Sequence, residues 1–142
     1  NSEKKVVVGP VSSETITKTS DQYFLNNDQY FDCIFIDGLH EYKQVRKDIL
    51  NSIKYLNEGG IILLHDCLPN NYYDQAIPRC QWTWNGDVWK AIVECRTNKD
   101  IDRPALKSST TSLAKYFSII VSAMIFGISW KASPNFLISS NL

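Results

Sequence analysis

Two short apolar runs stand out along the chain. Cys33-Ile34-Phe35-Ile36 is closed by Asp37-Gly38-Leu39-His40, and Ile61-Ile62-Leu63-Leu64 is closed by His65-Asp66. Neither run is interrupted by a polar residue, the pattern of strands buried on both faces of a parallel sheet. Between them, from Glu41 to Leu56, the residues Tyr42, Val45, Ile49, Ile53 and Leu56 recur at intervals of three and four, which sets them on one helical face. Arg46, Lys47, Asp48, Asn51 and Lys54 fall on the opposite, solvent-facing side. Asn57-Glu58-Gly59-Gly60 reads as the left-handed stop of that helix. Strand, helix and strand make a βαβ unit, with a right-handed crossover expected.

Other elements are marked more weakly. Val6-Val7-Val8 reads as a strand ended by Gly9-Pro10, and Val11 to Lys18 as polar loop or a ragged edge strand. Thr19-Ser20-Asp21-Gln22 offers capping side chains ahead of Tyr23-Phe24-Leu25, which predicts a helix of about two turns. Cys67 to Asn85 is a long irregular stretch carrying Pro69, Pro78 and the aromatics Tyr72, Tyr73, Trp82 and Trp84, a composition that suits a functional loop better than disorder. Asp87 to Cys95 predicts a further helix, with Val88, Ile92 and Cys95 on one face.

Composition changes this picture at one place. The 142 residues carry 15 basic and 15 acidic side chains, a net charge of zero that gives no general drive toward nucleic acid. Every acid, however, lies at or before Asp102, and beyond it the only charges are Arg103, Lys107, Lys115 and Lys131. Residues 103–142 therefore read as an atypical basic, serine-rich tail. Its apolar run from Tyr116 to Trp130 falls short of the roughly 20 residues of a spanning helix, so a buried or partly exposed helix is expected rather than a membrane anchor. A shift of reading frame near residue 103 would also explain the loss of acids. Cys33, Cys67, Cys80 and Cys95 lack C-x-x-C spacing, which argues against a zinc cluster and for reduced thiols in a cytoplasmic protein. The chain opens on Asn1 without a leader and reads as an excerpt of a longer protein.

In open α/β sheets reactive groups gather at the carboxyl ends of the strands, where Asp37 and Asp66 fall. Ends of adjacent strands lie about 4.8 Å apart, so the two carboxylates can converge on a hard cation such as Mg²⁺ or Mn²⁺. Side chains alternate along a strand, so His65 and Asp66 can share an ion only if the strand has already turned at residue 65; otherwise only one of them faces the site. His40, with an ordinary pKa of about 6.5, stands at the mouth of the crevice and is a candidate general base. The alternatives are structural: helix capping and loop anchoring for Asp37 and Asp66, and a cap on the following helix for His40. Trp82, Trp84, Trp89, Tyr72 and Tyr73 either wall an acceptor pocket or pack the long loop onto the sheet.

Phe31-Asp32-Cys33-Ile34-Phe35-Ile36-Asp37-Gly38-Leu39-His40-Glu41-Tyr42, the Gly59-Gly60 strand ending in His65-Asp66-Cys67, and Trp84-Asn85-Gly86-Asp87-Val88-Trp89-Lys90 together resemble class I S-adenosylmethionine-dependent methyltransferases of the small-molecule O-methyltransferase-like kind. The resemblance covers about residues 5 to 102 and implies a Rossmann-like α/β fold with a mainly parallel sheet. Residues 1–102 would be a partial methyltransferase domain whose first βα unit, with its glycine-rich loop, would precede residue 1. It further implies cofactor contacts at Gly9, Pro10, Asp37 and Gly38, metal ligation by Asp37, His65 and Asp66, with Cys67 as the alternative to His65 for the ligand beside Asp66, and catalysis by His40 and Asp66. The implied reaction is methyl transfer from S-adenosylmethionine to a small-molecule hydroxyl on a sugar or an aromatic ring, with Mg²⁺ or Mn²⁺ assistance. Gly9 stands where the family usually carries the acid that binds the ribose. That departure keeps a rival open, a truncated non-catalytic module for binding or assembly, in which exposed sheet edges favour pairing with a second copy. A metal-dependent hydrolase built on His40, His65, Asp37 and Asp66 would account for the acids but not for the Gly-Asp-Val-Trp-Lys segment.

Overall fold

The computed structural model describes residues 4–9, 16–97, 118–121 and 135–140. The valine triplet forms strand β1 (Lys4–Gly9), with a two-residue edge strand β2 (Ile16–Thr17) paired to it in parallel. Helix α1 (Ser20–Leu25) starts where the capping residues predict. Thr19 Oγ1 accepts from Gln22 N at 3.2 Å, and Gln22 Oε1 accepts from Thr19 N at 3.1 Å, so two otherwise unpaired donors are satisfied reciprocally.

The central unit follows as β3 (Phe31–Asp37), α2 (Tyr42–Lys54) and β4 (Leu56–Leu64), with β3 and β4 adjacent and parallel. Gly59 does adopt a left-handed φ of +76°, but it does not stop the helix. The strand has already begun at Leu56, and the glycine sits in an irregularity: Phe31 pairs with Leu56, yet Cys33 pairs with Ile61. A helix α3 (Val88–Thr97) completes the well-marked elements, and a single 3-10 turn at Tyr73–Gln75 punctuates the long loop.

Two strands come from the tail. Ser118–Val121 forms β5 beside β4, and Asn135–Ser140 forms β6 between β1 and β3, both in parallel. The helix expected over Tyr116–Trp130 is thus a strand at Ser118–Val121, and the rest of that run lies outside the described residues. An apolar run of this length carries no period that separates strand from helix, and pairing with β4 decides for strand. Among the described residues no helix is long and apolar enough to cross a membrane.

The resulting α/β sheet has the order β2-β1-β6-β3-β4-β5, with every recorded pairing parallel, consistent with a Rossmann-like arrangement. From β1 the chain steps outward to β2, then crosses to β3 and continues the other way to β4. The direction of winding therefore reverses between β1 and β3, the kind of position where open sheets leave a ligand crevice at their carboxyl edge.

Ile34, Ile36, Ile62 and Leu64 of the strands pack with Val45 and Ile49 of α2 and with Val88, Ala91 and Ile92 of α3, all buried. One polar residue breaks the expected pattern. Asp48, placed by periodicity on the solvent side of α2, is completely buried, because α1 packs over that side: Gln44 bridges the two helices, donating to Ser20 Oγ at 3.3 Å and to Asp48 Oδ1 at 3.1 Å. Burial pushes the Asp48 carboxyl up to about 6 against the lowering effect of its Ser20 and Gln44 hydrogen bonds.

Candidate functional site

The carboxyl ends of β3 and β4 bring four side chains together. Asp37 is the last residue of β3, His40 lies three residues on, and His65 and Asp66 follow directly after β4. The strand has ended at Leu64, and His65 N donates to Ile36 O at 3.1 Å while Asp66 takes a left-handed φ of 53°. That turn is what allows neighbouring residues to face one place. For a residue with a Cβ such a φ is uncommon, though aspartate tolerates it better than most.

One ligand atom from each of Asp37, His40, His65 and Asp66 lies within 4.8 Å of the other three. His40 Nε2 is 3.4 Å from Asp37 Oδ1, and His65 Nδ1 is 3.2 Å from Asp37 Oδ1 and 3.3 Å from Asp66 Oδ2. Although His65 Nδ1 sits between two carboxylates, its direction suits neither, and this buried atom has no hydrogen-bond partner. Burial opposes ionisation of Asp37, but His40 and His65 outweigh it and hold the carboxyl below its ordinary pKa. Burial likewise opposes a charged His40. The Asp37 carboxylate, the Trp84 carbonyl and Asp66 more than compensate and raise its pKa above the usual histidine value.

A strap from the long loop closes over this cluster. Trp84 O lies 3.1 Å from His40 Nδ1, and the Trp84 ring stacks on the imidazole at 5.5 Å with 29° between planes. Asn85 Nδ2 donates to Asp66 Oδ1 at 2.9 Å. Gly86 has a φ of +61°, and a Cβ there would stand 1.7 Å from His40 O, so only glycine fits. Asp87 N donates to that same carbonyl at 3.1 Å, and Asp87 Oδ1 accepts from Tyr42 N at 2.5 Å, capping α2, whose own N-cap residue Glu41 makes no side-chain cap. The Lys90 ammonium pairs with Asp87 Oδ2 at 2.9 Å.

The strap is held in turn by Asp74, a buried carboxylate that no sequence signal picked out. Its backbone carbonyl accepts from Asn85 N at 2.9 Å and Gly86 N at 3.0 Å, and its side chain accepts from Thr83 Oγ1, Gln81, Asn70 N and Asn71 Nδ2. The Thr83 hydrogen bond, with those of Gln81 and Asn70, outweighs burial and lowers the Asp74 pKa.

Of the expected aromatic wall, Trp84 reaches the cluster. Trp89 is tied to the loop by its indole donating to Gln75 Oε1 at 2.9 Å, while Tyr72, Tyr73 and Trp82 are exposed. Arg79 stands 5.8 Å from the centres of both the Trp82 and Trp84 rings. Of the expected cofactor contacts, Gly9 ends β1, and Asp37 ends β3 on the same rim of the sheet with the buried Gly38 directly after it. Pro10 lies outside the described residues. Cys33 and Cys67 are buried thiols pushed up to about 11 and about 12, so neither is a ready nucleophile.

Residues 6–67 match the family model of a methyltransferase domain. The match supports a methyltransferase domain running from β1 through both strand ends, and it contains all four cluster residues. The strap at residues 84–87 lies beyond the matched stretch. No curated protein and no solved structure matches the chain.

Proposed function

We propose that this methyltransferase domain uses S-adenosylmethionine to methylate a small-molecule hydroxyl, on a sugar or an aromatic ring, with a divalent cation at the strand ends. The observation that carries the reading is the convergence of Asp37, His40, His65 and Asp66 at the carboxyl edge of β3 and β4 within the matched stretch. When bound, S-adenosylmethionine supplies the methyl group, its S–CH₃ bond breaking with the electron pair left on sulfur as the acceptor oxygen forms the new O–CH₃ bond. The chain must then hold the hydroxyl in line and accept its proton. A carboxylate and imidazole cluster suits both tasks, and a cation held by Asp37, His65 and Asp66 would lower the hydroxyl pKa as a Lewis acid. The unpartnered, buried His65 Nδ1 between two carboxylates fits such an ion.

The reversal of winding between β1 and β3 is the natural cofactor crevice. Strands on either side of β6 are about 9.6 Å apart at about 4.8 Å per strand, a gap that a nucleoside can span. Gly9 and Gly38 offer backbone groups there, while Asp37 offers a carboxylate at the same rim. Gly9 brings no side chain to a ribose, which favours the second reading, a non-catalytic binding module. Incubation with methyl-labelled S-adenosylmethionine and a panel of phenols and sugars tests the choice. Labelled product, falling by about a hundredfold or more in Asp66→Asn, is the expected result. Equal background labelling by wild type and D66N refutes the catalytic reading.

A further inference from the structure

We infer that His40 is a metal ligand and not the general base, and that the two-histidine, two-aspartate ring selects a first-row transition ion of the Zn²⁺ or Co²⁺ kind over Mg²⁺. The inference rests on the metal-assisted part of the reading above. The Trp84 carbonyl can only accept, so His40 Nδ1, 3.1 Å away, carries the hydrogen. In the neutral ring this directs the Nε2 lone pair toward the side where Asp37 Oδ1 stands 3.4 Å off. A proton on Nε2 can bridge this gap, and a bound cation takes that proton's place between Nε2 and the Asp37 oxygen. A histidine that donates its other N–H to a backbone carbonyl is the usual arrangement of a ligating imidazole.

The same need recurs across the ring. His65 Nδ1 faces Asp37 and Asp66 with a hydrogen bond to neither. Asp66 has Oδ1 taken by Asn85, which leaves Oδ2 3.3 Å from His65 Nδ1, while its 3.4 Å contact with His40 is to Nδ1, the nitrogen that faces Trp84 O. Three of the six donor–donor separations, 3.2, 3.3 and 3.4 Å, are close to the roughly 3.4 Å edge of a tetrahedron with bonds of about 2.1 Å, and all four donor atoms lie within 4.8 Å of one another, so the remaining donors close in on binding. Mg²⁺ prefers an octahedral shell of oxygens, whereas imidazole with carboxylate suits zinc and its neighbours. Positioning is supplied from outside: Trp84 stacks on His40, the indole of Trp84 is itself anchored by donating to Ala76 O at 2.7 Å, and Phe35 sets its ring edge against His65 at 6.1 Å.

The test uses the full chain, stripped with a chelator, in calorimetric titrations with Zn²⁺, Co²⁺ and Mg²⁺, alongside the visible absorption of bound Co²⁺. The expected result is one-to-one binding of Zn²⁺ and Co²⁺, an intense tetrahedral Co²⁺ band that Zn²⁺ displaces, and Mg²⁺ at least about a hundredfold weaker. His40→Ala lowers Zn²⁺ affinity by about a hundredfold or more, and Asn85→Ala, which only loosens Asp66, by about 10- to 100-fold. Mg²⁺ binding as tight as Zn²⁺, or unchanged Zn²⁺ affinity in a folded H40A chain, overturns the inference. Should H40A fail to fold, the Co²⁺ spectrum of the wild type decides: an intense tetrahedral band supports the four-residue ring, and a weak octahedral spectrum overturns it. A parallel titration with S-adenosylhomocysteine separates the claims: cofactor binding without Zn²⁺ or Co²⁺ binding overturns the ion assignment and leaves the methyltransferase reading standing, and the reverse pattern supports the metal site while refuting that reading.

Discussion

Replacing the buried Asp48 by asparagine should stabilise the protein at neutral pH, and the size of the effect follows from its surroundings. Asp48 has no exposed surface, one of its oxygens, Oδ2, is unpartnered, and Ser52 Oγ, one turn further along α2, is buried and unpartnered as well. Its pKa rises from 3.8 to about 6, chiefly through burial, with Asp21 adding to the rise and Ser20, Gln44 and Lys47 opposing it. Because the folded chain holds this proton more tightly than the unfolded chain, the stabilising effect of protonation is complete below pH 3.8. It is lost as pH climbs through about 6. Above that, keeping Asp48 ionised inside the fold costs about 3 kcal/mol relative to the protonated form. Asp48→Asn removes the titration while keeping the shape and the acceptor for Gln44. Urea denaturation of both chains at pH 7.5 should therefore show D48N more stable by up to about 3 kcal/mol, a gain that shrinks as pH is lowered and vanishes near pH 3.8. A D48N chain that is less stable than wild type at pH 7.5, or a difference that does not change with pH, would refute the reasoning.

Two further substitutions probe the strap over the site. Gly86→Ala places a Cβ against the His40 carbonyl in a left-handed backbone, and should lower stability by more than about 1 kcal/mol in thermal denaturation; an unchanged melting temperature would mean the strap does not press on His40. Asp87→Ala removes the cap on Tyr42 N together with the Lys90 ion pair and should cost about 0.5–2 kcal/mol by urea titration, most of it from the cap, since the Lys90 end is largely exposed. Loss of the Lys90 partner alone, by Lys90→Ala, should cost less than about 1 kcal/mol, and an equal loss in both variants would contradict the assignment of the cap.

Much of the central unit was legible because its signals are local. The β-branched runs mark β3 and β4, the three-and-four spacing marks α2, and Thr19 with Gln22 marks the start of α1. The misreadings are places where distant packing overrides a local cue. Gly59 has the left-handed backbone that a helix stop requires, but pairing with Phe31 already holds Leu56 in the strand. Asp48 looks like a solvated helix position until α1 is laid over it. The tail strands β5 and β6 take their conformation from the sheet they join, and no period in residues 118–121 or 135–140 announces that. The site divides in the same way. Asp37, His40, His65 and Asp66 stand out as acids and histidines at the ends of apolar runs. The roles of the groups that orient them were not legible: Trp84 and Asn85 stood in a noticed segment, but Trp84 acts through its carbonyl and Asn85 through an amide, and Asp74, a hub of loop hydrogen bonds, had no mark at all. The Trp84-Asn85-Gly86-Asp87-Val88-Trp89-Lys90 segment was visible as a motif of the resemblance, but nothing local says that it folds back over His40.

The central claim is that the crevice between β1 and β3 takes the methyl donor and that the cluster beside it takes a divalent ion. Calorimetric titration of the purified chain with S-adenosylhomocysteine, run with a chelator and again with added divalent ion, addresses it most directly. The account predicts micromolar binding that survives chelation, with the ion binding as a separate event at the strand ends. A folded chain, verified by circular dichroism, that gives no heat with S-adenosylhomocysteine in either condition would contradict it.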